Sequence, residues 1–304
     1  MNRTTSDVAV TLELPPVEAE QGIVSDLMVL TKARLSLLVI ITTFVGFCTA
    51  SAARFDWLLL FHAVFGTTLA ACAAAVLNQV LEANVDRLME RTRHRPLPAG
   101  RMRPGTALAL GVTMGIAGVA WLWLFANPLC AGLAATTIFI YIALYTPLKR
   151  RTALCTIVGA VSGAIPPVIG WTAVHPSIDL GAWVLFGILF TWQMPHFLAI
   201  AWMYRDEYAQ AGFVMLKRDD LSGCATAMQS LLFTIALIVI TLIPFHAGLN
   251  NSVYLGGALL LDGAMLLYAV QFLIERNRAS ARRLFFASIL YLPVILGLMV
   301  FTKA

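Results

Sequence analysis

Nine stretches of about 20 residues, near 35–53, 57–81, 105–125, 128–147, 153–172, 180–203, 224–246, 252–273 and 284–302, are almost free of charge and leave little of the chain over. The hydrocarbon layer of a bilayer is about 30 Å thick, so at about 1.5 Å of rise per residue a spanning helix needs roughly 20 apolar residues. A backbone inside lipid must satisfy its own hydrogen bonds, which leaves helices and closed barrels. The windows lack the roughly ten-residue polar/apolar alternation of barrel strands. The sequence therefore predicts an all-α polytopic membrane protein with nine transmembrane helices. Only 12% of the residues are charged, against about 25% in ordinary soluble domains.

Residues 31–304 are expected to form the nine-helix domain, and residues 1–30 a flexible cytoplasmic N-terminal tail. That tail carries Asp7, Glu13, Glu18, Glu20 and Asp26 with Pro15 and Pro16. It is too acidic for a transit peptide and lacks the apolar core of a signal peptide, which favours a bacterial inner membrane over a mitochondrial one. The five cysteines are scattered without a CxxC pair and read as packing residues.

Apart from Arg54 and Lys303, all 21 Lys and Arg fall in the tail, at the start of the first window or in the loops 82–104, 148–152, 204–223 and 274–283, on one side of the membrane. The positive-inside rule makes that side cytoplasmic and puts the C-terminus in the periplasm. The net charge of +5 is thus a matter of topology and gives no argument for nucleic acid as a partner.

The segment NQVLEANVDRLMERTRHRPL, residues 78–97, is the exception in this apolar chain. Asn78, Glu82, Asp86 and Glu90 recur every four residues, which places them on one slowly drifting helical face. Hard oxygen ligands in such a row suit Mg²⁺, which prefers carboxylates plus a substrate phosphate to an all-protein cage. Arg87, Arg91, Arg93 and Arg95 follow with donors that fork onto phosphate oxygens. An amphipathic loop paired with anionic lipid heads is the plainer reading. Against it, polar groups at or inside the bilayer edge are expensive and usually functional. A second acidic stretch, with Asp206, Glu207, Asp219 and Asp220, lies in the loop 204–223 on the same side.

Asn78-x₃-Glu82-x₃-Asp86 with its continuation RLMERTRHRPLPAGR resembles the first acidic motif of the UbiA-type intramembrane prenyltransferases. YTPLKRRT at 145–152, GAIPPVIGW at 163–171 and QMPHFLAIAWMYRDEYAQAGFVML at 193–216 are similar to the branch that farnesylates heme b. The likeness runs from Leu30 to the end. It departs from the usual pattern where Glu82 replaces the first Asp of the motif and where Asp206 precedes Glu207.

The resemblance implies a UbiA-type fold, nine helices around a central cavity, with farnesyl diphosphate held through Mg²⁺ at the cytoplasmic mouth. It further implies heme b as acceptor, heme O as product, the lipid bilayer as surroundings, and heme A synthase or terminal oxidase assembly downstream. Asn78, Glu82 and Asp86 are then the first metal site and catalytic centre, with Asp206 and Glu207 near a second. Arg91, Arg95, Lys149 and Arg150, joined by Lys32 and Arg34, are diphosphate candidates, and Tyr145 and Tyr208 line the pocket. His196 either contacts heme or packs against a neighbouring helix. Trp121, Trp123, Trp171, Trp192 and Trp202 fall near window ends, and most of them read as interface anchors. Asp262, mid-window in LLLDGAMLL, is protonated or paired inside the bundle. A sister prenyltransferase acting on another ring, or a transporter, are the competing readings. The second would place charges near the bilayer midplane.

Overall fold

The computed structural model describes residues 22–51, 55–217 and 219–304. Its named elements are all helical: α1 (Ile23–Leu30), α2 (Ala33–Ala50), α3 (Trp57–Asp86), α4 (Pro104–Phe125), α5 (Pro128–Phe139), a π-helix (Ile140–Tyr145), α6 (Thr146–Leu148), α7 (Cys155–Val174), α8 (Leu180–Met203), α9 (Arg205–Gln210), α10 (Cys224–His246), α11 (Ser252–Glu275) and α12 (Arg278–Phe301). Among the described residues nine spans are long and apolar enough to cross a membrane, with Pro128–Leu148 counted as one. This is the number the sequence predicts. Asp56, Asn127, Asp179 and Asn251 accept hydrogen bonds from the first backbone amides of α3, α5, α8 and α11. These four helices thus begin on side-chain caps that satisfy donors otherwise left open.

Two boundaries differ from the sequence reading. Residues 1–21 lie outside the described residues, but Ile23–Leu30, assigned above to the tail, is a helix with Leu30 fully buried. Its eight residues are too few to span, yet Asp26 pairs with Arg101 at 2.9 Å and Gln79 of α3 donates to the Val29 and Leu30 carbonyls at 2.9 and 2.7 Å. The second window was bounded at 81, whereas α3 continues for 30 residues to Asp86. At about 1.5 Å per residue that is roughly 45 Å, longer than the hydrocarbon layer, so the acidic face is still helical where it leaves the membrane.

α2 packs on α7, α7 on α8, α8 on α10 and α12, and α12 returns to α2, while α3 and α5 meet α7 on the other flank and α4 packs outside them on α3 and α5. The α2–α7 crossing is the tightest. A Cβ at Gly46 would lie 1.9 Å from the Pro167 carbonyl oxygen, and one at Gly170 would lie 1.9 Å from that of Thr43. Small residues let membrane helices meet backbone to backbone, and this contact accounts for much of GAIPPVIGW. Trp192 and Trp202 are core residues at 5% and 6% exposure, not interface anchors. Each faces the bundle, and Trp192 Nε1 donates to the Ser288 carbonyl at 2.8 Å.

Asp262 is paired inside the bundle. Its two carboxyl oxygens accept from Thr241 Oγ1 at 2.7 Å and the Tyr291 hydroxyl at 2.6 Å, tying α11 to α10 and α12. Replacement by Ala strands the Tyr291 hydroxyl, while Thr241 can turn to the Ile238 carbonyl at 2.9 Å, so Asp262→Ala is expected to cost about 1–3 kcal/mol. Thermal unfolding in detergent measures this, and an unchanged midpoint would show that the network is idle.

Candidate active site

The acidic row lies on the last two turns of α3 and the helix before them. Asn78, Glu82 and Asp86 are at most 6% exposed, and each is met by a cation from a different part of the chain. Lys32 Nζ donates to Asn78 Oδ1 at 2.7 Å. Lys149 Nζ donates to both Glu82 oxygens at 2.8 and 3.1 Å. Arg95 donates to Asp86 Oδ2 at 2.7 Å. Three acceptors four residues apart thus hold three cations whose repulsion would otherwise keep them separate. A buried charge left without its partner is strongly destabilising, so the row and the cations account for each other.

Local structure explains each placement. Lys32 stands at the turn between α1 and α2 with φ 49°, a left-handed backbone that is uncommon outside glycine. That turn is pinned by Gln79, one residue beyond Asn78 on α3. The longer side chain of Glu82, where the resembling family usually has Asp, reaches Lys149 with both oxygens. Lys149 follows the π-helix, which carries Tyr141 and Tyr145 to the site. The Lys149 ammonium lies 4.5 Å from the Tyr145 ring centroid, and Lys32 is 3.4 Å from the Tyr141 hydroxyl. Burial works against the Lys149 charge, but Tyr145, Glu82 and Tyr141 around it raise its pKa above the ordinary lysine value. Asn78 Nδ2 donates to Thr146 Oγ1 at 3.0 Å, which fixes the amide so that its oxygen faces the lysine.

The second loop meets the first through Arg91, whose guanidinium donates to the Tyr208 hydroxyl at 3.3 Å and lies 5.8 Å from the Tyr204 and Tyr208 rings. It is also docked on the lysine segment, since the Val214 amide donates to the Lys149 carbonyl at 2.7 Å. Asp206 and Glu207, on α9, are exposed, and Asp206 pairs with its neighbour Arg205 at 3.7 Å. Asp220 belongs to helix α10 instead, accepting from the Ala225 and Thr226 amides at 3.1 and 2.8 Å. Burial would raise its pKa, but these bonds and the Thr226 hydroxyl hold it below the usual carboxylate range. Arg34 and Arg150 are exposed and away from the acidic row's hydrogen bonds.

His196 packs against a neighbouring helix: Nδ1 is 2.8 Å from Ser288 Oγ, and the ring stacks between Trp192 and Phe285. Tyr141 and Thr146 are site residues that the sequence reading missed. The spacing Tyr141-x₃-Tyr145-x₃-Lys149 is the signal that could have found Tyr141.

No group of three His, Cys, Asp or Glu side chains converges as a preformed metal centre among the described residues. The row Asn78, Glu82 and Asp86 nonetheless offers hard oxygens alone, buried and aligned, at an edge where cations already gather. That donor chemistry fits Mg²⁺ shared with a phosphate, not a closed protein cage.

A family model described as the UbiA prenyltransferase family matches residues 39–290. The chain is 44% identical over 287 residues to a protoheme IX farnesyltransferase of Solibacter usitatus (strain Ellin6076), covering 91% of this chain and 98% of that one. It is 45% identical over 283 residues to a protein of the same name from Opitutus terrae, covering 92% and 95%. Among solved structures, a digeranylgeranylglyceryl phosphate synthase superposes with a TM-score of 0.78 at 15% identity, covering 91% of this chain and 97% of that one. A UbiA homologue from Archaeoglobus fulgidus bound to GPP and Mg²⁺ superposes with a TM-score of 0.61 at 11% identity, covering 90% and 99%.

Proposed function

Since the chain belongs to the UbiA prenyltransferase family, we propose that it transfers the farnesyl group of farnesyl diphosphate to a vinyl group of heme b, giving heme O. The observation that carries the reading is the buried row Asn78, Glu82 and Asp86 with Lys32, Lys149 and Arg95 set against it. The acceptor is inferred from the relatives named protoheme IX farnesyltransferase, which align with this chain nearly end to end.

The reaction begins with cleavage of the allylic C–O bond, the electron pair leaving with the diphosphate. Lys149, Arg95 and Lys32 neutralise that leaving group by exchanging a carboxylate or amide partner for phosphate oxygens, and Arg91 approaches from the first loop, braced on Tyr208 of the second. Asn78, Glu82 and Asp86 would hold Mg²⁺, with Asp206 and Glu207 near a second ion, and the bound metal would supply further positive charge opposite the departing group. The carbon so exposed is attacked by the vinyl carbon. Water then adds to the cation next to the porphyrin ring and releases a proton, leaving a hydroxyethylfarnesyl chain. Burial of the site keeps water from reaching the allylic carbon first. Tyr145 presents a ring face beside the ammonium of Lys149.

The basic loops orient the site to the cytoplasm of a bacterial inner membrane with the C-terminus in the periplasm. The product would pass to heme A synthase or terminal oxidase assembly. Membranes containing the protein, given heme b, farnesyl diphosphate and Mg²⁺, are expected to yield heme O on chromatography, and excess chelator is expected to stop it. An active preparation that prenylates another ring and leaves heme b untouched would overturn the acceptor.

A further inference from the structure

We propose that Asp26 is a positioning residue of the diphosphate site: its ion pair with Arg101 holds the turn that aims Lys32 at the acidic row and ties that turn to the loop carrying Arg95. The inference rests on farnesyl diphosphate as the donor. The backbone of Lys32 is left-handed, with φ 49° and ψ 51°. A residue with a side chain is strained there and stays only where its surroundings impose the conformation. The helix leading into it, α1, has eight residues, too few to be stable by themselves. Lys32 therefore reaches Asn78 only if contacts with the rest of the protein hold α1 in place.

Gln79 fastens the last carbonyls of α1, and Asp26 fastens its middle. Arg101 Nε donates to both Asp26 oxygens at 3.1 and 3.2 Å, and Nη2 donates to Oδ1 at 2.9 Å, which makes a forked pair. Asp26 is the one charged residue of IVSDLMVL and is buried, whereas Ile23, Val24 and Met28 stand exposed. A water-facing helix is arranged the other way, so solvation does not account for the acid, and its partner does. Arg101 belongs in turn to the same folded turn as Arg95. Its amide donates to the Pro96 carbonyl at 2.9 Å, and the Ala99 amide donates to the Arg95 carbonyl at 3.0 Å. The Arg101 guanidinium also donates to the His94 carbonyl at 2.9 Å. Leu30 of α1 and Leu97 of the loop share a small buried cluster with Val76 and Ala107. The helix and the loop are thus one block carrying two cations. Lys32 and Arg95 hold Asn78 and Asp86, the two ends of the row, about 12 Å apart along α3 at helical rise. Joining their supports fixes the spacing of two cations that turn to one leaving group.

The experiment measures binding of farnesyl diphosphate with Mg²⁺ by calorimetry in nanodiscs, without heme, for the wild type, Asp26→Asn, Lys32→Met and the double variant. Asp26→Asn keeps the shape and one acceptor for Arg101 but not the charge, and is expected to weaken binding about 10-fold, the worth of one charged hydrogen bond. Lys32→Met should do the same. The double variant should bind within about twofold of Lys32→Met alone, because residues that act through one contact are not additive. Losses that multiply overturn the proposal, as does Asp26→Asn binding like the wild type. In turnover, Asp26→Asn is expected to raise the KM for farnesyl diphosphate and leave that for heme b unchanged; a rise in both is general loosening and also overturns the role. Arg101→Lys, which keeps the charge but not the fork, replaces Asp26→Asn in the same cycle if the latter yields no folded protein. A wild type that binds no farnesyl diphosphate sinks the donor assignment, and this role with it.

Discussion

Asp86→Asn is expected to slow heme O formation roughly 100- to 1,000-fold, the loss typical when one stabilising contact to the transition-state charge is removed. The protein should still fold. The amide keeps an oxygen for Arg95, and Arg95, with 24% of its side chain exposed, is not sealed away from water when the carboxylate charge is gone. What disappears is one anionic oxygen of the proposed metal row, at the C-terminal end of α3, so the variant should also need more Mg²⁺ for half-maximal rate. Comparison of rates across a Mg²⁺ titration gives both quantities. Turnover within about threefold of the wild type at saturating Mg²⁺ would remove Asp86 from the metal site.

Gly170→Ala is expected to have the largest effect on folding. The added methyl would meet the Thr43 carbonyl oxygen at 1.9 Å, the Phe47 amide nitrogen at 2.8 Å and the Thr43 carbonyl carbon at 2.9 Å, all of them backbone atoms. No rotamer change can make room, so α2 and α7 must separate. Overpacking of this kind costs about 3 kcal/mol or more where the structure cannot yield, which in a membrane protein shows as low recovery of monodisperse protein. Gly256→Ala, at a position with nothing within 4 Å of the new carbon, serves as the control. If both variants unfold within about 2 °C of the wild type, the close crossing has no energetic consequence.

The features legible in the sequence are those encoded in local period. Spans announce themselves by length without charge, and the row Asn78, Glu82 and Asp86 by its four-residue repeat on a helix that proved long enough to contain it. The pairing of that row was not legible. Arg95 is nine positions from its carboxylate, but Lys32 and Lys149 reach their partners across 46 and 67 positions. Lys32 and Arg34 look equivalent two residues apart in the sequence; a left-handed turn sends the first into the site, while the second stays exposed. Hydropathy near a window end misplaced Trp192 and Trp202, because it carries no information on which face of a helix meets a neighbour. His196 could be given two roles from sequence, and only the position of Ser288, 92 residues away, shows which nitrogen is engaged.

The π-helix at Ile140–Tyr145 has a consequence for how this protein tolerates change in length. A π-turn closes hydrogen bonds over five residues where an α-turn uses four, so it holds one residue more than a regular helix would over the same rise. Deleting one residue of this segment ahead of Tyr145 would let it relax to regular α-helix over nearly the same rise and arc, because the residue lost is the one the π-turn holds in excess. Tyr145 and Lys149 would then keep their aim at Glu82. The same deletion in the regular helix before it, Pro128–Phe139, would turn everything after it by about 100°, so one-residue losses are absorbed at the π-turn and misdirect the lysine arm elsewhere.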